Sequence, residues 1–301
     1  DFPGFFHSFY NSTIGEKLPP QKVFSQELRI NSNGNGKLQY TAGVYGFSQV
    51  GYEPTTNLAF ESPFFPNTYS IFRNRANNFG LAGFGELSYQ ITNQLKVTAG
   101  LRYDYEKRES TFNGFGDAVL SSGVLTTIKP DTTVNGNYSA ISPKVALSYA
   151  LNEHSNLYIS YTRGSRAGGV NAQRVPANVR LTFDPEYSNN FEAGYKASLA
   201  DNKLSIGASA FLIQWKSLQF FNPISPNEFA TTNVGDAQSM GVELEVTAIP
   251  VKGLQLDGSF GLNETKYQDF NLVRSNFFTG ATTTTAIGGN RLSNAPSHTL
   301  F

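Results

Sequence analysis

The chain of 301 residues balances 23 Lys and Arg against 23 Asp and Glu, so it carries no basic footprint for nucleic acid. It has no cysteine, which excludes disulfides, thiolate metal sites and thiol catalysis. No apolar run is long enough for a transmembrane helix, but the strands of a membrane barrel need only every second residue to be apolar.

Residues 1–21 are rich in Phe, Pro and Ser and read as an irregular lead-in. A strand is expected from Lys22 to Ile30, turned at Ser32-Asn33-Gly34-Asn35-Gly36, where Asn-Gly pairs accept positive φ at little steric cost. Leu38, Tyr40, Ala42 and Val44 alternate with polar or small residues in the returning strand. A long loop, 49–77, carries Pro54, Pro63 and Pro66.

The stretch Phe79–Tyr105 has the clearest pattern. In its second arm Leu95, Val97, Ala99, Leu101, Tyr103 and Tyr105 share one face, and Lys96, Thr98, Gly100, Arg102, Asp104 and Glu106 share the other. That is a strict period of two. The first arm, ending at Ile91, meets it at a short polar turn, which predicts an antiparallel hairpin. Tyr89 precedes the turn, and Tyr103 and Tyr105 follow it by about ten residues. At ~3.3 Å per residue and a tilt near 45°, the two tyrosine levels are roughly 20 Å apart. Tyrosines at both edges of an apolar band, backed by a charged face, suit a bilayer-spanning strand.

The remaining elements repeat this design. After a second long loop, 110–136, strands are expected over Ser139–Leu151 and from Leu157 through Tyr161, joined at Asn152-Glu153-His154-Ser155. A third long connection runs from Arg163 to Asp184. Tyr187–Leu199 and Lys203–Gln219 meet at Asp201-Asn202, followed by a loop over 220–233. Val242, Leu244 and Val246 alternate with Glu243, Glu245 and Thr247; Pro250–Gly253 turns the chain, and Leu254, Leu256, Phe260 and Leu262 continue. A fifth loop covers 268–293, and Asn294–Phe301 looks like the start of a further strand. Connections alternate short and long throughout, as in outer-membrane barrels, where short turns face the periplasm and long loops face outside. The expected fold is all-β: about ten long strands of an antiparallel up-and-down transmembrane β-barrel, open in this chain because ten strands cannot enclose a wide lumen.

Several stretches resemble the TonB-dependent outer-membrane receptors. They include Gln26-Glu27-Leu28-Arg29-Ile30, Phe84-Gly85-Glu86-Leu87-Ser88-Tyr89, Thr98-Ala99-Gly100-Leu101-Arg102-Tyr103 and Ser142-Pro143-Lys144. Further along are Ser160-Tyr161-Thr162-Arg163-Gly164 with Arg166-Ala167-Gly168-Gly169-Val170-Asn171, and Asp184-Pro185-Glu186 leading to Phe191-Glu192-Ala193-Gly194-Tyr195-Lys196. Gly241-Val242-Glu243-Leu244-Glu245 and Asn294-Ala295-Pro296 complete the set. The order and spacing of these pieces cover about residue 22 to the end. The resemblance implies a 22-strand barrel in the outer membrane of a Gram-negative bacterium, filled by an N-terminal plug. It implies active uptake of a scarce ligand, often a ferric siderophore, energised through TonB. It also divides the chain into the lead-in, 1–21, and a partial receptor barrel, 22–301, with plug and final strands absent. The partners implied are outer-membrane lipid, the plug domain, the TonB energy-coupling protein and a small-molecule iron chelate; no cofactor is expected.

His7, His154 and His298 are scattered, and His154 beside Glu153 and Ser155 in a tight turn does not form a catalytic dyad. Glu243 and Glu245 share a face, which a water-lined lumen explains as well as acid–base chemistry or a metal. Gly168-Gly169 lacks the strand-to-helix context of a phosphate loop. Arg163 and Arg166 stand where a strand leaves the wall, suited to carboxylates on a plug or an anionic ligand, with a solvated rim as the alternative. Phe64-Phe65, Phe220-Phe221 and Phe277-Phe278, with Tyr52 and Tyr69, either close over a ligand or pack the loops together. The candidate ligand- or plug-contacting residues are thus Arg163, Arg166, Asn171, Phe220 and Phe221. A passive porin or sugar channel is the alternative function. A third reading, an outer-membrane barrel enzyme such as a lipase or protease, would need a nucleophile–base–acid set that is not found, and a soluble all-β binding module is a further one.

Overall fold

Period-two alternation becomes extended, paired backbone along nearly all of the computed structural model, which describes residues 7–12, 21–34, 36–52, 56–61, 68–113, 118–121, 124–127, 132–171, 180–225, 228–275 and 282–300. Those residues contain strands and no helix. In chain order the strands are β1 (His7–Ser12), β2 (Lys22–Asn31), β3 (Leu38–Tyr52), β4 (Thr56–Glu61), β5 (Thr68–Gln90), β6 (Leu95–Asn113), β7 (Ala118–Ser121), β8 (Val124–Thr127), β9 (Thr132–Asn152) and β10 (Ser155–Arg166). They continue with β11 (Gly169–Val170), β12 (Thr182–Phe183), β13 (Glu186–Leu199), β14 (Leu204–Lys216), β15 (Gln219–Ser225), β16 (Glu228–Asn233), β17 (Gly235–Val251), β18 (Leu254–Ser275), β19 (Thr282–Ala286) and β20 (His298–Leu300).

One antiparallel meander forms the wall, in the order β2, β3, β5, β6, β9, β10, β13, β14, β17, β18, β20. Among the described residues β2 pairs only with β3, and β20 only with β18, so the wall is an open sheet with two edges. Short turns fall where the sequence places them, between Asn31 and Leu38, Gln90 and Leu95, Asn152 and Ser155, Leu199 and Leu204, and Val251 and Leu254. At the fourth turn Ala200, Asp201 and Asn202 have φ of 51, 55 and 64°, and Asn202 Oδ1 accepts the Ser198 hydroxyl at 2.6 Å. Asp and Asn tolerate this left-handed region better than most residues.

The long connections differ from expectation. Their described residues are largely extended and paired rather than irregular. β4 pairs β5, β7 pairs β8, β11 pairs β12, β15 pairs β16, and β19 pairs β18. The lead-in differs too: β1 pairs with β4 from His7↔Glu61 to Ser12↔Thr56. The reason is that backbone N–H and C=O groups seek partners wherever the chain runs, and a partner about fifty residues away leaves no trace in local composition.

Register carries the two faces around the wall. Val97 lies opposite Leu147, Ala99 opposite Val145 and Leu101 opposite Pro143, while Thr98 meets Ala146 and Gly100 meets Lys144. The apolar row is uncovered; Leu101 is 56% exposed. Among the described residues the buried hydrophobics are four alanines, Tyr267 and Phe270. A water-soluble sandwich would bury this row between two sheets. Here the row lies bare between the Tyr89/Tyr149 level and the Tyr103/Tyr105 level, the pattern of a lipid-facing barrel strand.

Pro143 interrupts the wall. β9 and β10 pair from Asn152↔Ser155 up to Lys144↔Thr162, with a register shift beside Ser155, and no further pair follows. Proline has no N–H to give to a ladder. Above this point the β10–β13 connection folds across the polar face as a strap, built on β11 and β12.

Candidate functional site

Even-numbered residues of β5 and β6 define the polar face, which the strap partly roofs. Charges two apart on one strand are neighbours there. Arg29 pairs with Glu27, Arg102 with Asp104 at 2.7 Å, and Arg108 with Glu106. Lys144 on β9 reaches Glu86 on β5 at 2.8 Å. Rings back these cations: Arg102 stands 5.9 Å from the Tyr45 centroid and 5.7 Å from that of Phe84, and Arg108 stands 5.7 Å from that of Phe47. Farther round, Tyr158 donates to Glu192 and stacks under Lys196 at 5.5 Å. Partly exposed pairs like these contribute at most about 1 kcal/mol each. Their effect is to keep one face of the sheet charged and hydrated.

The strap is held by close backbone approach. Tyr138 donates its hydroxyl to the Gly169 carbonyl at 3.0 Å. A Cβ on Gly168 would overlap the Phe183 carbonyl oxygen and the Tyr138 ring. The two glycines are therefore a packing requirement.

The structure disperses the five candidate residues. Arg163 and Arg166, being three apart, fall on opposite faces. Arg163 lies opposite Asn189, on the face of Tyr161 and Tyr187, with its guanidinium 4.3 Å from the Tyr187 centroid. Arg166 lies opposite Glu186 on the polar face and is exposed. Asn171 is buried: Nδ2 donates to the Thr231 carbonyl at 3.0 Å, and Oδ1 accepts the Thr231 N–H at 2.7 Å. It clamps the strap to β16. Phe220 packs edge-on against Phe270 at 5.3 Å, in a cluster with Trp215, Ala237 and Tyr267, whereas Phe221 is exposed. Phe64, Phe65, Phe277 and Phe278 lie outside the described residues. His154 is an exposed turn residue whose N–H donates to Asn152 Oδ1 at 2.9 Å. Glu243 and Glu245 lie opposite Ser209 and Gly207 on the polar face. Among the described residues no three His, Asp or Glu side chains converge as a metal site would require.

Replacing Asn171 by alanine is expected to loosen the clamp by about 1–2 kcal/mol. Hydrogen exchange of the Thr231 amide should then speed up by roughly 5- to 30-fold, with the wall strands unaffected.

Beneath the strap, β5, β6, the strap and the start of β15 enclose a polar cavity of about 310 Å³ lined by Asn78, Arg108, Ser110, Arg166, Phe183 and Gln219 among others. Of these, Arg166 alone is marked as a candidate by the sequence. Arg108 was within reach of the same reasoning, since it extends the row Arg102, Asp104, Glu106 by one step of two. Gln219 gave no local signal, because its burial arises only when the strap folds over it.

The wall's geometry is shared with known receptors. The chain aligns with the crystal structure of the ferric yersiniabactin uptake receptor FyuA from Yersinia pestis over 93% of its length and 39% of that chain, with a TM-score of 0.71 at 19% identity. In sequence it matches the family described as TonB dependent receptor-like, beta-barrel, over residues 2–301.

The chain belongs to the TonB-dependent receptor family.

Similar receptors include the pesticin receptor of Yersinia pestis, 26% identical over 227 residues, covering 73% of this chain and 30% of the relative. The catecholate siderophore receptor Fiu of Escherichia coli is 26% identical over 278 residues, covering 84% of this chain and 33% of the relative. This receptor chain thus spans about a third of the length of the relatives it matches. Its family is one of receptors and transporters rather than enzymes.

Proposed function

We propose that the chain is part of the wall of an outer-membrane receptor of a Gram-negative bacterium. This receptor takes up a scarce ligand, a ferric siderophore or related iron complex, with energy delivered through TonB. The observation that carries the reading is the division of faces: a bare apolar face between two tyrosine levels, backed by a charged face under a strap. The relative named for catecholate siderophores supplies the ligand class. An N-terminal plug fits the lumenal face. Arg166, exposed there, is a plug or ligand contact in this reading, and exposed Phe221 is a contact at the loops.

A passive porin or sugar channel would also present a polar lumen, but the family match favours coupled uptake. The two separate on energetics. Iron-starved cells expressing the full-length receptor should accumulate radioactive iron carried by their own culture supernatant. Deleting the receptor or TonB should reduce accumulation to background. Uptake that persists without TonB would support a passive channel and sink this reading.

A further inference from the structure

We propose that the cavity under the strap binds a ligand group in which a carboxylate stands beside a hydrogen-bond donor. Arg166 and Arg108 take the carboxylate, and Gln219 Oε1 accepts from the donor. The inference rests on the receptor reading above and specifies what its lumen recognises.

Gln219 is the decisive side chain. It is 8% exposed. Its Nε2 donates to the Ala167 carbonyl at 2.9 Å and the Asp184 carbonyl at 3.0 Å, and its backbone N–H donates to Glu186 Oε2 at 2.7 Å. Two carbonyl acceptors fix the amide's orientation, since a flipped amide would set oxygen against oxygen. That leaves Oε1 buried and without a hydrogen-bond partner among the described residues. A buried acceptor in that condition is a binding element awaiting an N–H or O–H.

The charges around it select an anion. Arg108 Nε is likewise buried and unpartnered, although its terminal nitrogen pairs with Glu106. Arg166 is exposed, and the acid opposite it in the strand pairing, Glu186, is engaged by the Gln219 N–H. The one carboxylate on the cavity's edge, Glu109, is held elsewhere: Asn77 Nδ2 donates to it at 3.1 Å and Lys107 Nζ lies at 3.1 Å. Guanidinium groups suit a planar carboxylate. About 310 Å³ accommodates a small ligand or one arm of a larger chelate. A water alone would satisfy Gln219 but leave Arg166 without a counter-charge, and the Nε of Arg108, whose terminal nitrogen pairs with Glu106, without a partner.

Citrate supplies both features, and tricarballylate is the same tricarboxylate without the hydroxyl. Calorimetric titration of the full-length receptor in detergent should show saturable citrate binding, with tricarballylate weaker by about 10-fold or more, because Oε1 is then left unpaired. Arg166→Gln, at an exposed side chain, should weaken both probes by a similar factor of about 10. Gln219→Met should remove the preference between them. Equal affinity for the two probes in the unmodified receptor, or affinity unchanged in Arg166→Gln, overturns the proposal. So does a plug side chain that fills the cavity and blocks both probes. TonB-dependent iron uptake measured in the same strain separates the levels. Uptake without citrate binding removes the cavity assignment alone, whereas uptake independent of TonB removes the transport reading whatever citrate does.

Discussion

Arginine at position 244 is expected to destabilise the membrane-inserted receptor by about 2–4 kcal/mol, and arginine at position 245 by less than about 0.5 kcal/mol. The two residues are chain neighbours on β17. Leu244 is 41% exposed, and Glu245 is exposed as well, so the sheet in isolation does not distinguish them. Register does. Leu244 sits between Ala208 and Phe260 in the apolar row, and Glu245 between Gly207 and Ser259 in the polar row. A guanidinium in the first row must enter hydrocarbon or drag water toward it, whereas one in the second row exchanges one hydrated charge for another. Urea unfolding of the full-length receptor in lipid vesicles measures both variants through the shift in midpoint. Equal midpoints for Leu244→Arg and Glu245→Arg would mean that the face with the leucine does not meet lipid, and the membrane reading would fail with it.

Gly235→Ala is expected to cost about 3–5 kcal/mol, through backbone strain and displacement of the packed cluster beside it. Gly235 has φ of 128°, and a Cβ there would overlap the Asp269 carbonyl oxygen. Backbone on both sides leaves no flexible side chain to give way. The neighbouring pair, Gly235 opposite Phe270, positions the largest fully buried side chain among the described residues. Leu218 and Gly235 also anchor the β15–β16 hairpin, with the Leu218 N–H donating to the Gly235 carbonyl at 2.7 Å. Hydrogen exchange should show protection lost across the amides of 218–234. Gly83→Ala provides the contrast. A Cβ at Gly83 meets nothing within 4 Å, and the change should stay within about 0.5 kcal/mol of neutral. Unaltered protection in Gly235→Ala would show that the Asp269 carbonyl does not crowd Gly235.

The wall was readable because a strand's side-chain period is two, and a sheet with one apolar and one polar face writes that period directly into the chain. Leu95 through Glu106 assigns both faces of β6 before any partner is known. The short turns were readable for a similar reason: Asn-Gly at 33–36 and Asp-Asn at 201–202 are local solutions to a local bend. The third connection was not. In sequence it is only a long connection, yet Gly168 and Gly169 are there because Tyr138 and Phe183 approach from other strands.

Phe220 and Phe221 show the same limit at single-residue scale. The sequence pairs them as aromatic loop residues. Alternation on β15 sends Phe220 against Phe270 and leaves Phe221 exposed, and only the β17–β18 pairing puts Phe270 there to be met.

What the amino-acid sequence determined by itself was the wall: its strand period, its two faces and the side on which the short turns lie. These depend on residues one or two positions apart. Tertiary structure alone decided the strap, the clamp at Asn171 and the cavity at Gln219. Each joins groups from strands far apart in sequence, and no local pattern encodes the distance between them once the chain has folded.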